Sequence, residues 1–99
     1  MIVDWSPVAR RELQAIVDYL AERNPAAADK VESEILDAAL SLGHFPRRGR
    51  LGRVAGLREL KIRKRPYFLA YLVGGRVVTI MRVVHTSREW PPPSDDPDA

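Results

Sequence analysis

The chain of 99 residues contains no cysteine. That excludes a disulfide framework, a zinc–thiolate site and a cysteine nucleophile. It suits a reducing cytoplasm, where the protein is expected to reside. Only two histidines occur, His44 and His85. They lie far apart, with no carboxylate–histidine pattern around them, so no metal site is expected. No glycine loop followed by lysine is present to cradle phosphates, and no cofactor is expected. No run of about 18 apolar residues occurs, so no membrane-spanning helix is expected. The opening Met1-Ile2-Val3-Asp4-Trp5 has no basic stretch ahead of an apolar one, so no secretion signal is expected.

What is present is an ordinary globular composition, 45% apolar and 29% charged, with an unusual arrangement of charge. Residues 1–46 carry four basic and eight acidic side chains. Residues 47–90 carry twelve basic and two acidic ones, Glu59 and Glu89, a balance of +10. The last nine residues add −3. A positive half of this kind is suited to a polyanion or an acidic protein. A chain of this length buries roughly 60–70% of its unfolded surface, enough for one core. A single domain is therefore expected over 1–90. Residues 91–99 (PPPSDDPDA) hold too little apolar surface to fold and are expected to form a disordered acidic tail.

Residues 2–5 read as a short β-stretch. Ser6-Pro7 starts a helix: serine caps free N–H groups, and proline at the first position lacks a hydrogen that would go unpaired. Ala9, Leu13, Ile16, Val17 and Leu20 follow helical spacing. Asn24-Pro25 repeats the start signal, and a second helix is expected over about 25–42, with Ala28, Val31, Ile35, Ala38 or Ala39, and Leu42 on its buried stripe. Gly43 is the expected stop. The short break at Arg23-Asn24 makes the two helices an antiparallel hairpin. Residues 44–56 read as a loop crowded with Arg47, Arg48, Arg50 and Arg53. Three strands are expected next, at 57–62, 67–73 and 76–84, with a turn at Pro66 and a hairpin at Gly74-Gly75. The order β-α-α-β-β-β predicts a two-layer α+β domain, a helix hairpin packed on a mainly antiparallel sheet.

The candidate site residues are cations and aromatics in the basic half. Arg58 and Arg82 fall inside strands. Neighbours on a strand face opposite ways, so Arg58 does not pair with Glu59. Arg82 interrupts an apolar run. Either it is ion-paired, to Glu59 or to a helix carboxylate, or it serves in binding. His85 ends the last strand, where it either caps the strand locally or transfers protons near neutral pH. Tyr67 and Tyr71 share a face, and Trp90 is expected to fold back on the core. A metal-free RNA-cleaving site needs cations for the charged transition state and acid–base groups for the 2′-hydroxyl and leaving oxygen. Arg58, Arg82 and His85, with Tyr67, have the required chemistry.

Several pieces together resemble the RelE/ParE superfamily of toxins, and its ParE-like branch in particular. They are Trp5-Ser6-Pro7 with Ala9 and Leu13; Ile16 with Tyr19-Leu20; and Asn24-Pro25-Ala26-Ala27-Ala28. The Phe45-Pro46-Arg47-Arg48-Gly49-Arg50 loop and Gly56-Leu57-Arg58-Glu59-Leu60 follow. Pro66-Tyr67 with Tyr71, and Arg82-Val83-Val84-His85 through Arg88-Glu89-Trp90, complete the set, which spans about residues 3–91. The resemblance implies a small cytoplasmic toxin, neutralised by a cognate antitoxin that lays an acidic or amphipathic segment over it. It also implies a toxin–antitoxin heterotetramer, which meets operator DNA only through the antitoxin. Two targets are open: DNA gyrase for ParE-like members, or ribosome-bound mRNA for RelE-like ones; a non-toxic antitoxin-binding module is a third possibility. RelE-like nucleases place cations and a tyrosine where this chain has Glu59, Phe68, Thr86 and Trp90; Lys61 alone is retained. The surface expected to meet antitoxin and target comprises Arg47, Arg48, Arg50, Arg53, Arg58, Lys61, Tyr67, Arg82, His85, Arg88 and Trp90.

Overall fold

A computed structural model describes residues 1–93; the notional acidic tail from 94 onward lies outside the described residues. Both helix starts form as their caps dictate. Ser6 Oγ accepts the N–H of Ala9 at 3.0 Å ahead of α1 (Pro7–Ala21). Asn24 Oδ1 accepts the N–H of Ala27 at 3.2 Å ahead of α2 (Pro25–His44). Each cap satisfies one of the free donors of a first turn. The buried stripe of α2 is Ala28, Val31, Ile35, Ala39 and Leu42, matching its periodicity.

Helix α2 runs past the glycine expected to stop it. Gly43 is helical, and the end comes at Phe45. The glycine is there for space. A Cβ at Gly43 would sit 2.7 Å from the carbonyl oxygen of Met1. The terminal ammonium of Met1 donates to the carbonyl of Gly43 at 2.7 Å. The start of the first strand is thus pressed against the end of α2.

The sheet has five strands rather than a meander of three with a separate short stretch. They are β1 (Ile2–Trp5), β2 (Arg50–Leu51), β3 (Arg58–Lys61), β4 (Tyr67–Gly74) and β5 (Val77–His85), in the order β1-β5-β4-β3-β2. β1 lies parallel to β5, and every other pair is antiparallel. The loop over 44–56 contains β2, a two-residue edge strand. The hairpin turns one residue later than the Gly-Gly pair suggests: Gly74 still pairs with Val77, so the loop is Gly75-Arg76.

The helix hairpin covers one face of the sheet. Tyr71, Leu69, Val78 and Ile80 join Ala9, Ile35 and Leu42 there, all fully buried. Leu13, Ile16 and Leu20 pack against this core from α1. The other face bears a smaller cluster, Phe68, Ala70 and Val84, with Leu57 and Trp90 against it. Trp90 does fold back, but onto this second face. Pairing slips between Ala70 and Tyr71: Ala70 opposes Arg82 while Tyr71 opposes Ile80, leaving Met81 unmatched. One extra residue of this kind bends a strand and resets which side chains face which way. It explains why Ile80 and Val83 share the main core although they are three apart.

Candidate functional site

The basic half does not form one site. Most of its candidate residues divide between two concavities on different parts of the fold, and Arg47 and Arg58 line neither. The first lies over the helix-free side of the sheet, holds about 560 Å³, and is lined by Arg48, Arg50, Arg53, Glu59, Lys61, Phe68 and Thr86 among others. The second, about 740 Å³, lies between α1 and the segment after β5, and includes Glu12, Tyr67, Arg82, His85, Arg88 and Trp90.

Glu59 organises the first concavity. It is the only acidic residue between 47 and 88, and it is buried to 4% exposure. β3 places it opposite Ala70 of β4 and beside Arg50 of β2. Its Oε2 accepts the backbone N–H of Arg53 at 2.9 Å and Arg53 Nε at 3.2 Å. Its Oε1 accepts Arg53 Nη2 at 2.8 Å and Arg50 Nη2 at 3.2 Å. Hydrogen bonds from the Arg53 side chain, against the cost of burial, hold this carboxyl down to about 2. It stays ionised across the physiological range and is a poor proton acceptor. Arg53 in turn stacks over Phe68, its guanidinium carbon 5.1 Å from the ring centre. Two of the four loop arginines are therefore spent on one internal carboxylate.

The rest of the loop is tied to the sheet by Tyr71. Its hydroxyl donates to the carbonyl of Pro46 at 2.7 Å and accepts the N–H of Gly49 at 2.9 Å. Arg58 Nη1 donates to the carbonyl of Gly49 at 2.9 Å, so this arginine too serves the loop. Arg48 donates to Ser41 Oγ at 2.8 Å. Lys61 Nζ donates to the carbonyls of Ile62 and Arg65 in the turn before β4. Arg47 lies apart from both concavities, beside Phe45 and His44. The Arg65 of the basic turn pairs with Glu34 of α2 at 2.6 Å.

In the second concavity Arg82 is ion-paired, with a helix carboxylate and not with Glu59. Its Nε and Nη2 meet the two oxygens of Glu12 at 2.9 and 2.8 Å. Such a two-point pair matches the flat guanidinium to the carboxylate. The guanidinium carbon lies 5.3 Å from the centre of the Trp90 ring. His85 is held locally: its Nδ1 accepts the N–H of Ser87 at 3.0 Å. A backbone N–H can only donate, so the neutral ring carries its proton on Nε2. The ring meets Tyr67 edge-on, centroids 5.3 Å apart, and burial pushes the Tyr67 phenol up from its ordinary value of 10.0. Arg82, His85 and Tyr67 thus share a groove, and Arg58 is not part of it. Among the described residues, no group of three histidine or acidic side chains is placed to hold a metal ion. No helix among them is long and apolar enough to cross a membrane.

Sequence reasoning missed Glu12 and the tether made by Tyr71. Nothing local marks Glu12, which lies 70 positions from Arg82. Glu59 carried a usable signal, as the single acid amid so many cations.

Known proteins are similar in sequence and share the fold. The family model for the ParE toxin of the type II toxin–antitoxin system parDE matches residues 3–90. Toxin RelE2 of Caulobacter vibrioides is 40% identical over 86 residues, covering 87% of this chain and 96% of that protein. A solved structure described as the chromosomal ParDE toxin–antitoxin system from P. aeruginosa superposes with a TM-score of 0.79 at 26% identity. It covers 88% of this chain and 97% of that one. The intact E. coli RelBE toxin–antitoxin complex shares the fold at a TM-score of 0.58 and 18% identity, over 88% and 98% of the two chains. With two helices on a five-stranded mixed sheet and a family match over nearly all its folded length, the chain belongs to the ParE toxins of type II toxin–antitoxin systems, in the RelE/ParE superfamily.

Proposed function

We propose that this toxin arrests growth by binding DNA gyrase and does no chemistry of its own. The observation that carries the reading is the clamp of Arg50 and Arg53 on Glu59. An RNA-cleaving face needs cations free to meet charge that develops in the transition state. Here two of the four cations lining that face, Arg50 and Arg53, are engaged from within by a carboxylate too acidic to act as a base. The ParE resemblance supplies gyrase as the target. A cognate antitoxin is the regulatory partner, the complex being a heterotetramer joined through the antitoxin, which also carries the contact to operator DNA. The site of action is the cytoplasm. The test is purified protein added to gyrase. Supercoiling should fall or cleavage complexes should accumulate. Unchanged gyrase together with cleavage of ribosome-bound mRNA would sink the proposal.

One observation favours a second reading, a ribosome-dependent endoribonuclease: Tyr67, Arg82 and His85 line one groove. His85→Ala and Arg82→Ala, each verified as folded by circular dichroism, decide it. If both remain toxic, the nuclease reading fails.

A further inference from the structure

Helix α2 carries a second apolar stripe, on the side away from the sheet. Leu36 and Leu40, four residues apart, are 38% and 64% exposed, and Phe45 just past the helix end is 66% exposed. A helix packed on one face buries one stripe, and α2 already does so from Ala28 to Leu42. Helical spacing puts the exposed Asp29 and the small, exposed Ser33 on the same side as the two leucines. Exposed Arg47 follows Phe45 beyond the other end. Neither Asp29 nor Arg47 has an ion-pair partner among the described residues. Lys30 and Asp37 belong to the other flank, with Glu34 and the turn before β4. The end with Phe45 and Arg47 is rigid. The N–H of Phe45 donates to the carbonyl of Ser41 at 2.9 Å, and Tyr71 holds the carbonyl of Pro46.

We propose that this face joins two copies of the chain, their α2 helices lying antiparallel across a two-fold axis. The axis passes between Leu36 and Leu40. Leu36 of each copy then meets Leu40 of the other, and Phe45 comes to the turn where Ser33 leaves room. Asp29 and Arg47 are equidistant in sequence from the axis, so the carboxylate of each copy meets the guanidinium of the other. Every contact is made twice, as a two-fold interface requires. The two helix dipoles also oppose each other. The occupant is a second copy because one face holds both halves of the complement: an acid at one end, a cation at the other, leucines between. Nucleic acid does not fit, since Asp29 repels phosphate. Neither concavity of the basic half includes a residue of this stripe, so pairing leaves both open. One helix pair is a small interface, and the pair forms and parts with concentration.

The test is sedimentation velocity of the purified, intact toxin over a concentration series. The average mass should rise from one copy towards two. Leu40→Arg should weaken self-association at least tenfold while the circular dichroism stays that of wild type, because the position is exposed. Asp29→Arg and Arg47→Asp should each weaken it as well, since each sets like charges together. Mixing these two variants in equal amounts should restore pairing, because each supplies the charge the other lacks. A wild type that remains a single copy up to about 1 mM, or a mixture that pairs no better than the separate variants, overturns the proposal. Leu40→Arg with self-association unchanged but binding to antitoxin or gyrase lost gives the face to that partner and overturns it too.

Discussion

The hydroxyl of Tyr71 holds the N–H of Gly49 at 2.9 Å, at a point where no side chain would fit. A Cβ on Gly49 would lie 2.6 Å from that oxygen and 2.7 Å from the carbonyl oxygen of Glu59. The phenol also donates to Pro46. One side chain from the centre of β4, itself fully buried, thereby pins both ends of the turn that delivers Arg47, Arg48 and Arg50. Burial raises the phenol above its ordinary value of 10.0, so it keeps its proton throughout the physiological range. The arginine loop is a fixed surface, and its stability can be probed from within the core.

Tyr71→Phe removes the oxygen and leaves a buried N–H without a partner. The expected cost is about 1–3 kcal/mol, read as a lower midpoint in thermal or urea unfolding. Amide exchange at Gly49 should accelerate by more than the global change accounts for. A variant as stable as wild type, with Gly49 exchange unaltered, contradicts the tether.

Gly49→Ala tests the same contact from the loop. Backbone on one side and the anchored phenol on the other leave the methyl nowhere to go. We expect destabilisation of roughly 1–3 kcal/mol, in the range for overpacking. The loop should shift as well, loosening Arg58 from the Gly49 carbonyl. Double substitution with Tyr71→Phe should cost less than the sum of the two, because removing the phenol oxygen also removes the nearest atom the methyl would strike.

Glu59 sets an acid limit on stability. Its folded-state value of about 2 lies below the ordinary 4.5. A depressed carboxyl stabilises the fold fully above its unfolded value and loses that contribution as pH falls toward its folded one. The contribution amounts to roughly 3 kcal/mol above pH 5, and it should decline between about pH 5 and pH 2. Glu59→Gln should flatten that part of the stability curve while lowering the neutral-pH plateau. An equally steep acid limb in the variant would show that other carboxylates are responsible.

Arg82 and Glu12 join α1 to β5 across 70 residues. Arg82→Ala leaves a half-buried carboxylate facing the N–H of Val83 alone, at an expected cost of roughly 2 kcal/mol. That corresponds to a fall in melting temperature on the order of 10 °C for a domain of this size. A double-mutant cycle with Glu12→Gln should return a coupling of about 1–2 kcal/mol. Additive effects would mean that the pair contributes nothing beyond its separate contacts.

Much of this protein follows from local features of its sequence. Ser6-Pro7 and Asn24-Pro25 start the helices where capping chemistry demands. The stripe from Ala28 to Leu42 faces the core because its spacing follows the helical turn. β4 and β5 are legible from their apolar and β-branched runs, and the division of charge is a property of the chain itself. What the tertiary structure decided is non-local. The parallel seat of β1, the unmatched Met81 and the resulting exposure of the β5 edge depend on which strands pair and in what register. Whether an arginine is free or spent depends on a carboxylate that folding brings near, Glu12 for Arg82 and Glu59 for Arg50 and Arg53. The sequence alone determined a helix hairpin, a meander and a basic half. Long-range contacts decided how many of those cations are left to meet a partner, because a charge acts on what lies within a few ångströms and not on its neighbours in sequence.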